Sequence, residues 1–287
     1  MTCHGQGFQH GQLLLNLLEA CSTIRYLDAT KCVHALSITM GHIPKKSIFI
    51  HNNIISSYIA LDGVLHARKV FDALPHKTIV SCNTLITTYC RRRDVDDAWN
   101  LLCHMRGSGF APTQYTLTGL LSCELLNHSQ GVQLHTLSIR NGLFDADAFV
   151  GTSLLGLFGR HGCWDELFLA FEDMPLKSLV TWNSMVSLLA RNGFVEECKI
   201  WFSDLVGTGM SLSKGSFVAV LSGLVDSEED LEYGEQIHGL MIKCRFGCEI
   251  TVANSFISVY VRCKAMFAME RLFEEVPVQN VVLEYSH

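Results

Sequence analysis

Apolar residues in this chain recur with the spacing of paired helices. Between residues 79 and 113, Leu85, Ile86 and Tyr89 stand at i, i+1 and i+4, and the run Arg91-Arg92-Arg93-Asp94 then interrupts the pattern. Val95, Ala98, Trp99, Leu102 and Met105 resume it at i, i+3, i+4, i+7 and i+10, and Gly107-Ser108-Gly109 closes the second segment. Two helices are predicted. Neither has an apolar stripe wide enough to fold alone, so neighbouring pairs must cover one another.

The same pattern returns along the chain. Three of the five prolines, Pro75, Pro175 and Pro277, lie 100 and 102 residues apart, each preceded at four positions by Phe71, Phe171 or Phe273. Thirteen positions further back stand Tyr58, Phe158 and Tyr260. A 100-residue offset also relates Asn83 to Asn183, Arg91 to Arg191, Val95 to Val195, Gly107 to Gly207 and Gly109 to Gly209. His34, His135 and His238 head the related phrases VHALSI, LHTLSI and IHGLMI. Such periods define repeat architectures.

Each period divides into three units. Residues 48–78 (31 residues) recur as 148–178 and 250–280, and residues 79–113 (35 residues) recur as 179–213. Residues 114–147 (34 residues) and 214–249 (36 residues) are the third kind, with a diverged copy at about residues 11–47. Residues 1–10 form an extension, and residues 281–287 begin a further unit. The expected fold is all-α, a solenoid of tandem helix-turn-helix repeats.

Composition narrows the function. The 287 residues hold 22 Lys+Arg against 28 Asp+Glu, a formal net charge of −6, which excludes a conventional basic DNA-binding surface. The mean hydropathy of +0.23 raises the question of a membrane, but no run of about 20 apolar residues exists, so a soluble chain is expected. The twelve cysteines are scattered without a CxxC, and Met1 to Leu18 has no basic residue to begin a signal peptide. Cys21, Cys90, Cys123 and Cys263 lie in apolar helical stretches and are expected to be reduced packing residues.

Tetratricopeptide repeats require a fixed 34-residue length and a Trp-Leu-Gly-Tyr pattern that this chain lacks. The chain instead resembles the plant pentatricopeptide repeat proteins of the PLS subfamily, which alternate 35-residue P units, longer L units and 31-residue S units. IVSCNTLITTYCRRRDVDDAWNLLCHMRGSGFAPT and LVTWNSMVSLLARNG fit the P unit, ARKVFDALP and LAFEDMP the S unit, and GEQIHGLMIK the L unit. The resemblance covers about residues 11 to 287 and implies a right-handed α-solenoid. It also implies binding of single-stranded RNA, one nucleotide per repeat, with the base chosen by the fifth and last residues of each unit. Those pairs are Asn52/Thr78, Asn83/Thr113, Thr152/Ser178, Asn183/Ser213 and Asn254/Asn280. By the family's rules, Asn at the fifth place goes with pyrimidines and Thr with purines. The expected order is pyrimidine, pyrimidine, gap, purine (adenine favoured), pyrimidine (cytosine favoured), gap, pyrimidine, the gaps standing for L units.

A helical wheel places the fifth position at 0° and the apolar positions 7, 8 and 11 at about 200°, 300° and 240°. Position 13 falls near 80°, away from that buried face, and is occupied by Arg91, Arg160, Arg191 and Arg262, with Ala60 the exception. These four guanidinium groups are candidates for phosphate contact or base stacking. An isolated Asn or Thr there would read as a helix cap, and an isolated Arg as a helix-dipole partner; it is the recurrence that favours RNA. Arg91-Arg92-Arg93 as a run reads as a solvated turn. The three recurring histidines are expected to begin the second helices of the L units and to pack between units rather than bind metal.

No catalytic, metal or cofactor site is expected. None of the 13 histidines begins an HxE, no CxxC occurs, and no phosphate-binding loop, GxSxG or dinucleotide fingerprint is present. His238, Cys244 and Cys248 lack a supported metal spacing. The resemblance implies an adaptor in organellar RNA metabolism: choice of C-to-U editing sites first, then splicing or end processing, with editing or processing proteins supplied in trans. It implies a mitochondrion or chloroplast, and neither DNA nor a membrane as partner. The alternative is a protein-binding α-solenoid, or a truncated paralogue without RNA binding; the last seven residues, VVLEYSH, lack the Trp-Asn of a P unit. Acidic residues concentrate in the second helices and their approaches, among them Asp94, Asp96, Asp97, Asp165, Glu166, Glu196, Glu197, Glu270, Glu274 and Glu275.

Overall fold

The computed structural model describes residues 3–39, 48–225, 227–244, 246 and 250–275. Seventeen helices and no strand occur among the described residues, so the fold is all-α. The chain divides into two compact units, Met1–Leu143 and Phe144–His287. No helix among the described residues is long and apolar enough to cross a membrane.

The first unit contains α1 (Cys3–Ile24), α2 (Leu27–Thr39), α3 (Ile48–Ala60), α4 (Val64–Asp72), α5 (Ile79–Arg91), α6 (Val95–Gly107), α7 (Gln114–Leu121) and α8 (His128–Arg140). Helices α1, α3, α5 and α7 pack successively on one another, while α2, α4, α6 and α8 each fold back on the first helix of their own hairpin. Ile54, Ile55 and Tyr58 of α3 and Leu85, Ile86 and Tyr89 of α5 are buried, so positions 7, 8 and 11 form the core as the wheel requires.

A single turn, α9 (Leu143–Ala146), precedes the helices of the second unit: α10 (Ala148–Arg160), α11 (Trp164–Asp173), α12 (Leu179–Arg191), α13 (Val195–Gly207), α14 (Lys214–Leu221), α15 (Glu228–Lys243), α16 (Ile250–Arg262) and α17 (Met266–Glu275). Here α10, α12, α14 and α16 pack in succession. Leu154, Leu155 and Phe158 repeat the buried positions in α10, and Met185, Val186 and Leu189 repeat them in α12. Phe171, four residues before Pro175, meets Trp182 and Trp201 edge-on at 4.9 and 4.6 Å. Its ring also lies 5.2 Å from Lys177 Nζ, a contact that Phe71 and Lys77 reproduce in the first unit at 5.2 Å.

The breaks between helices have local causes. Gly109 and Gly209 follow α6 and α13 in the left-handed region, at φ +81° and +73°, where a side chain would be strained. The Arg91-Arg92-Arg93 run is more than a solvated turn. Arg92 pairs with Asp62 and Arg93 with Glu124, joining the tips of neighbouring hairpins within the first unit. Such pairs are exposed and contribute no more than about 1 kcal/mol each.

The recurring histidines lie mid-helix, not at helix starts, because α2, α8 and α15 begin earlier, at Leu27, His128 and Glu228. The polar caps of α8 and α15, Asn127 and Ser227, support turns that apolar periodicity does not reveal. His34 Nδ1 lies 3.1 Å from Tyr58 Oη in the first unit, and His238 Nδ1 lies 2.9 Å from Tyr260 Oη in the second. Each contact ties a second helix to the first helix that follows. Cys21, Cys90 and Cys123 are buried as free thiols, and Cys263 is half-buried. Burial pushes the Cys90 thiol up to about 12, aided by its neighbour Cys123, so it stays protonated.

Candidate nucleic-acid interface

The candidate residues gather at the N-termini of the first helices. Thr78, Thr113, Ser178 and Ser213 are the N-caps of α5, α7, α12 and α14, each in a reciprocal box with the residue three positions on. Thr78 Oγ1 accepts from Ser81 N at 3.1 Å, and Ser178 Oγ accepts from Thr181 N at 3.2 Å. The cap is thereby fixed directly beside the preceding first helix, where the fifth residue of the preceding unit stands.

Two pairs meet directly. Asn83 Nδ2 donates to Thr113 Oγ1 at 3.2 Å, and Asn183 Nδ2 donates to Ser213 Oγ at 3.3 Å, across thirty residues of chain in each case. Thr152 and Ser178 meet only through Thr181, whose Oγ1 lies 2.9 Å from each of their hydroxyl oxygens. Asn52 has its carbonyl oxygen buried without a hydrogen-bond partner. Asn254 is exposed in an open groove of about 570 Å³ between α14 and α16, lined also by Ser222, Ser258 and Arg262. Its partner Asn280 and the unit beginning at 281 lie outside the described residues.

The four arginines occupy the last turns of α5, α10, α12 and α16, and all are exposed. Arg191 Nε donates to Ser187 O at 3.2 Å. Arg262 Nε donates to Ser258 O at 3.2 Å, and its Nη2 reaches Leu221 O at the end of α14 at 3.4 Å. Arg191 and Arg262 therefore neutralise backbone carbonyls near helix C-termini while their charge stays exposed. No aspartate or glutamate occurs in α3, α5, α7, α10, α12, α14 or α16.

Two further positions share this surface and were missed from the sequence. Position 9, near 40° on the wheel, is Ser56, Thr87, Ser187 and Ser258, with Gly156 the exception, so Asn, hydroxyl and Arg follow at i, i+4 and i+8 in α5, α12 and α16. Position 2, near 60°, carries apolar side chains that the fold leaves in solvent: Phe49, Val80 (60% exposed), Tyr115 (69%), Phe149 (68%) and Val180. An apolar residue off the buried stripe, repeated at one register, was the signal available. Thr113 thus has an exposed ring at Tyr115, an amide at Asn83 and a distal guanidinium at Arg91, and Ser178 has Val180, Thr152 and Arg160 in the same places, whereas Ser213 has Gly215 at position 2 and the helix before Thr78 has Ala60 at position 13.

Tandem helical hairpins with a neutral-to-basic polar stripe on their first helices define a class of repeat protein. The comparisons place the chain within it. A model described as the PPR repeat family matches residues 77–123, and one described as PPR repeat matches residues 152–179 and 180–210. The pentatricopeptide repeat-containing protein At3g58590 of Arabidopsis thaliana is 44% identical over 98% of this chain and 38% of its own length. The Arabidopsis protein At3g24000, named as mitochondrial, is 28% identical over 93% of this chain and 42% of its own. The chain thus spans roughly two-fifths of these relatives. The crystal structure of the pentatricopeptide repeat protein PPR10 from maize is similar at TM-score 0.69 and 15% identity, over 92% of this chain and 38% of that one. PPR10 in complex with an 18-nt psaJ RNA element is similar at TM-score 0.61 and 18% identity, over 86% and 37%. The chain thus carries pentatricopeptide repeats and is similar along nearly all its length to a plant pentatricopeptide repeat protein.

Proposed function

We propose that the chain is a sequence-specific single-stranded RNA-binding adaptor that reads one base per repeat with the fifth and last residues of its P and S units. The observation that carries this is the direct bond between those residues, Asn83 to Thr113 and Asn183 to Ser213, recurring in both compact units on first helices that contain no carboxylate. A short amide held at a helix N-terminus can meet the Watson–Crick edge of an unstacked base. The exposed Val80, Tyr115, Phe149 and Val180 supply faces on which a base can rest. Arg91, Arg160, Arg191 and Arg262 stand ready for phosphate. The solved complex of PPR10 with RNA supports the same partner, and the mitochondrial relative supports an organellar setting.

On this reading the units alternate as S, P and L types, and the protein brings an editing or processing activity to chosen transcripts, C-to-U editing first. Fluorescence anisotropy with a labelled single-stranded RNA pool, competed by double-stranded RNA and by DNA of the same sequences, tests it. Retention of a pyrimidine-rich single-stranded fraction is expected. A folded protein that retains no RNA would turn the reading to a protein-binding scaffold.

A further inference from the structure

The third residue of each first helix separates the reading sites into two kinds. At the Asn83 site it is Thr116, which accepts from Thr113 N at 3.0 Å and donates its hydroxyl to Asn83 Oδ1 at 2.7 Å. At the Thr152 site it is Thr181, 2.9 Å from Thr152 Oγ1. Thr152 commits its own hydrogen to Ala148 O at 2.7 Å, so Thr181 is the donor. Where serine stands the link is missing. Ser81 returns its hydroxyl to Thr78 O at 2.8 Å, and the Asn52 carbonyl oxygen is buried without a partner. Ser216 stays with Ser213, at 3.1 Å from its amide nitrogen and 3.2 Å from its hydroxyl, and the Asn183 carbonyl oxygen is likewise buried without a partner. All four hydroxyl oxygens accept from the amide nitrogen of their own cap, so the difference lies in the hydroxyl hydrogen. The two threonines, held to one rotamer by the β-branch, send it across to the preceding helix, whereas the serine hydroxyls contact only their own cap residue.

We infer that this third residue is a positioning residue that decides which hydrogen-bonding edge the preceding fifth-residue amide shows to a base, threonine fixing the amide and serine leaving it free to turn. The inference rests on the RNA reading proposed above. Asn83 has its oxygen engaged by Thr116 and one amide hydrogen on Thr113, so it offers a base its remaining hydrogen. That suits an acceptor edge such as uracil O4. Asn183 makes a single long donor contact at 3.3 Å, and turning its amide breaks no bond at the oxygen. Turned, that oxygen accepts from an amino group such as cytosine N4, and an unsatisfied buried acceptor gains a partner. Asn83 therefore discriminates against cytosine, whereas Asn52 and Asn183 admit it. The difference is about five-fold, the size of one net hydrogen bond. The two P sites also differ at the second position, Tyr115 against Gly215, where a Cβ would stand 3.6 Å from Asn183 Nδ2. The test must therefore change the third residue alone.

The probe is a fluorescein-labelled single-stranded RNA selected by the wild-type chain from a randomised pool, remade with uracil or cytosine at the positions facing Asn83 and Asn183. Ser216→Thr is expected to raise the uracil-to-cytosine affinity ratio at the Asn183 position about five-fold. The ratio at the Asn83 position should not move. Thr116→Ser should lower the ratio at its own position by a similar factor. Thr116→Val, which keeps the branched shape and removes the hydroxyl, should follow Thr116→Ser at the base even where it lowers the melting temperature. Wild-type base preference at both positions with no change in any variant would overturn the inference and leave the RNA reading standing. A parallel change at every position would overturn it as a general loss of structure. A wild type with no base preference would sink both.

Discussion

Within each compact unit the two layers of helices differ in where they keep charge. First helices α3, α5, α7, α10, α12, α14 and α16 contain no acidic residue, and α5, α7, α12 and α14 begin at the hydroxyl caps Thr78, Thr113, Ser178 and Ser213. Second helices α6, α11, α13 and α15 open instead with Asp96 and Asp97, Asp165 and Glu166, Glu196 and Glu197, and Glu228, Glu229 and Asp230. Among the first helices α10 is the exception, capped by Asp147, whose carboxylate accepts from Phe149 N at 2.7 Å. Both solutions satisfy a helix N-terminus, but a carboxylate at a first-helix cap would repel a phosphate chain. The net charge of −6 averages the two layers and conceals the difference. A neutral cap can stabilise its helix and still offer hydrogen bonds to a ligand.

The largest effect expected from disturbing this contrast lies in the second-helix layer and concerns stability alone. Asp230 is 2% exposed and pairs at 2.7 Å with Lys199, itself 12% exposed, linking α13 to α15. Asp230→Ala should cost about 3 kcal/mol in chemical denaturation, because Lys199 loses its buried partner, while base preference stays unchanged. Burial alone would raise the Asp230 carboxyl, but Lys199 and the Val225 amide outweigh it and hold it below its ordinary 3.8. This stability is therefore present above pH 3.8 and lost as pH falls below it, a loss the Asp230→Ala protein should not show.

A smaller effect belongs to the first-helix layer. Arg91→Ala and Arg191→Ala should each weaken RNA binding several-fold, and each should make the salt dependence shallower by about 0.7 in log–log slope, one phosphate per arginine. Unchanged slopes would reduce these arginines to helix-end partners. The junction between layers gives the next. Burial, followed by the neighbouring His51 and His66, holds His34 below its ordinary 6.5, so its contribution is complete above that pH and declines as pH falls. Thermal melts from pH 7.5 to 5 should show a gentler decline for His34→Gln, which keeps an acceptor near Tyr58. Smallest of all, Glu197→Gln on the exposed second-helix surface should change stability by no more than about 0.5 kcal/mol and RNA affinity by less than two-fold.

Short-range periodicity made the helix pairs legible. Leu85, Ile86 and Tyr89 announce their buried face within a single turn, and the recurrence of Phe71 and Phe171 announces the stacking. The fifth and last residues were legible only through family resemblance, since Asn83 and Thr113 stand thirty residues apart and no local pattern joins them. The same distance hid the Thr116 bond to Asn83 and the Arg92 pairing with Asp62. The exposed position-2 side chains escaped because Val80 or Phe149 in a sequence reads as core; only the fold shows them in solvent.

Selection of bound sequences from a randomised single-stranded RNA pool, by the wild-type chain and by the Asn83→Thr/Asn183→Thr double variant, tests base reading most directly. The account predicts pyrimidines at the second and fifth places of the wild-type motif, purines at those two places for the variant, and every other place unchanged. An identical motif from both proteins, or no motif from the wild type, would contradict it.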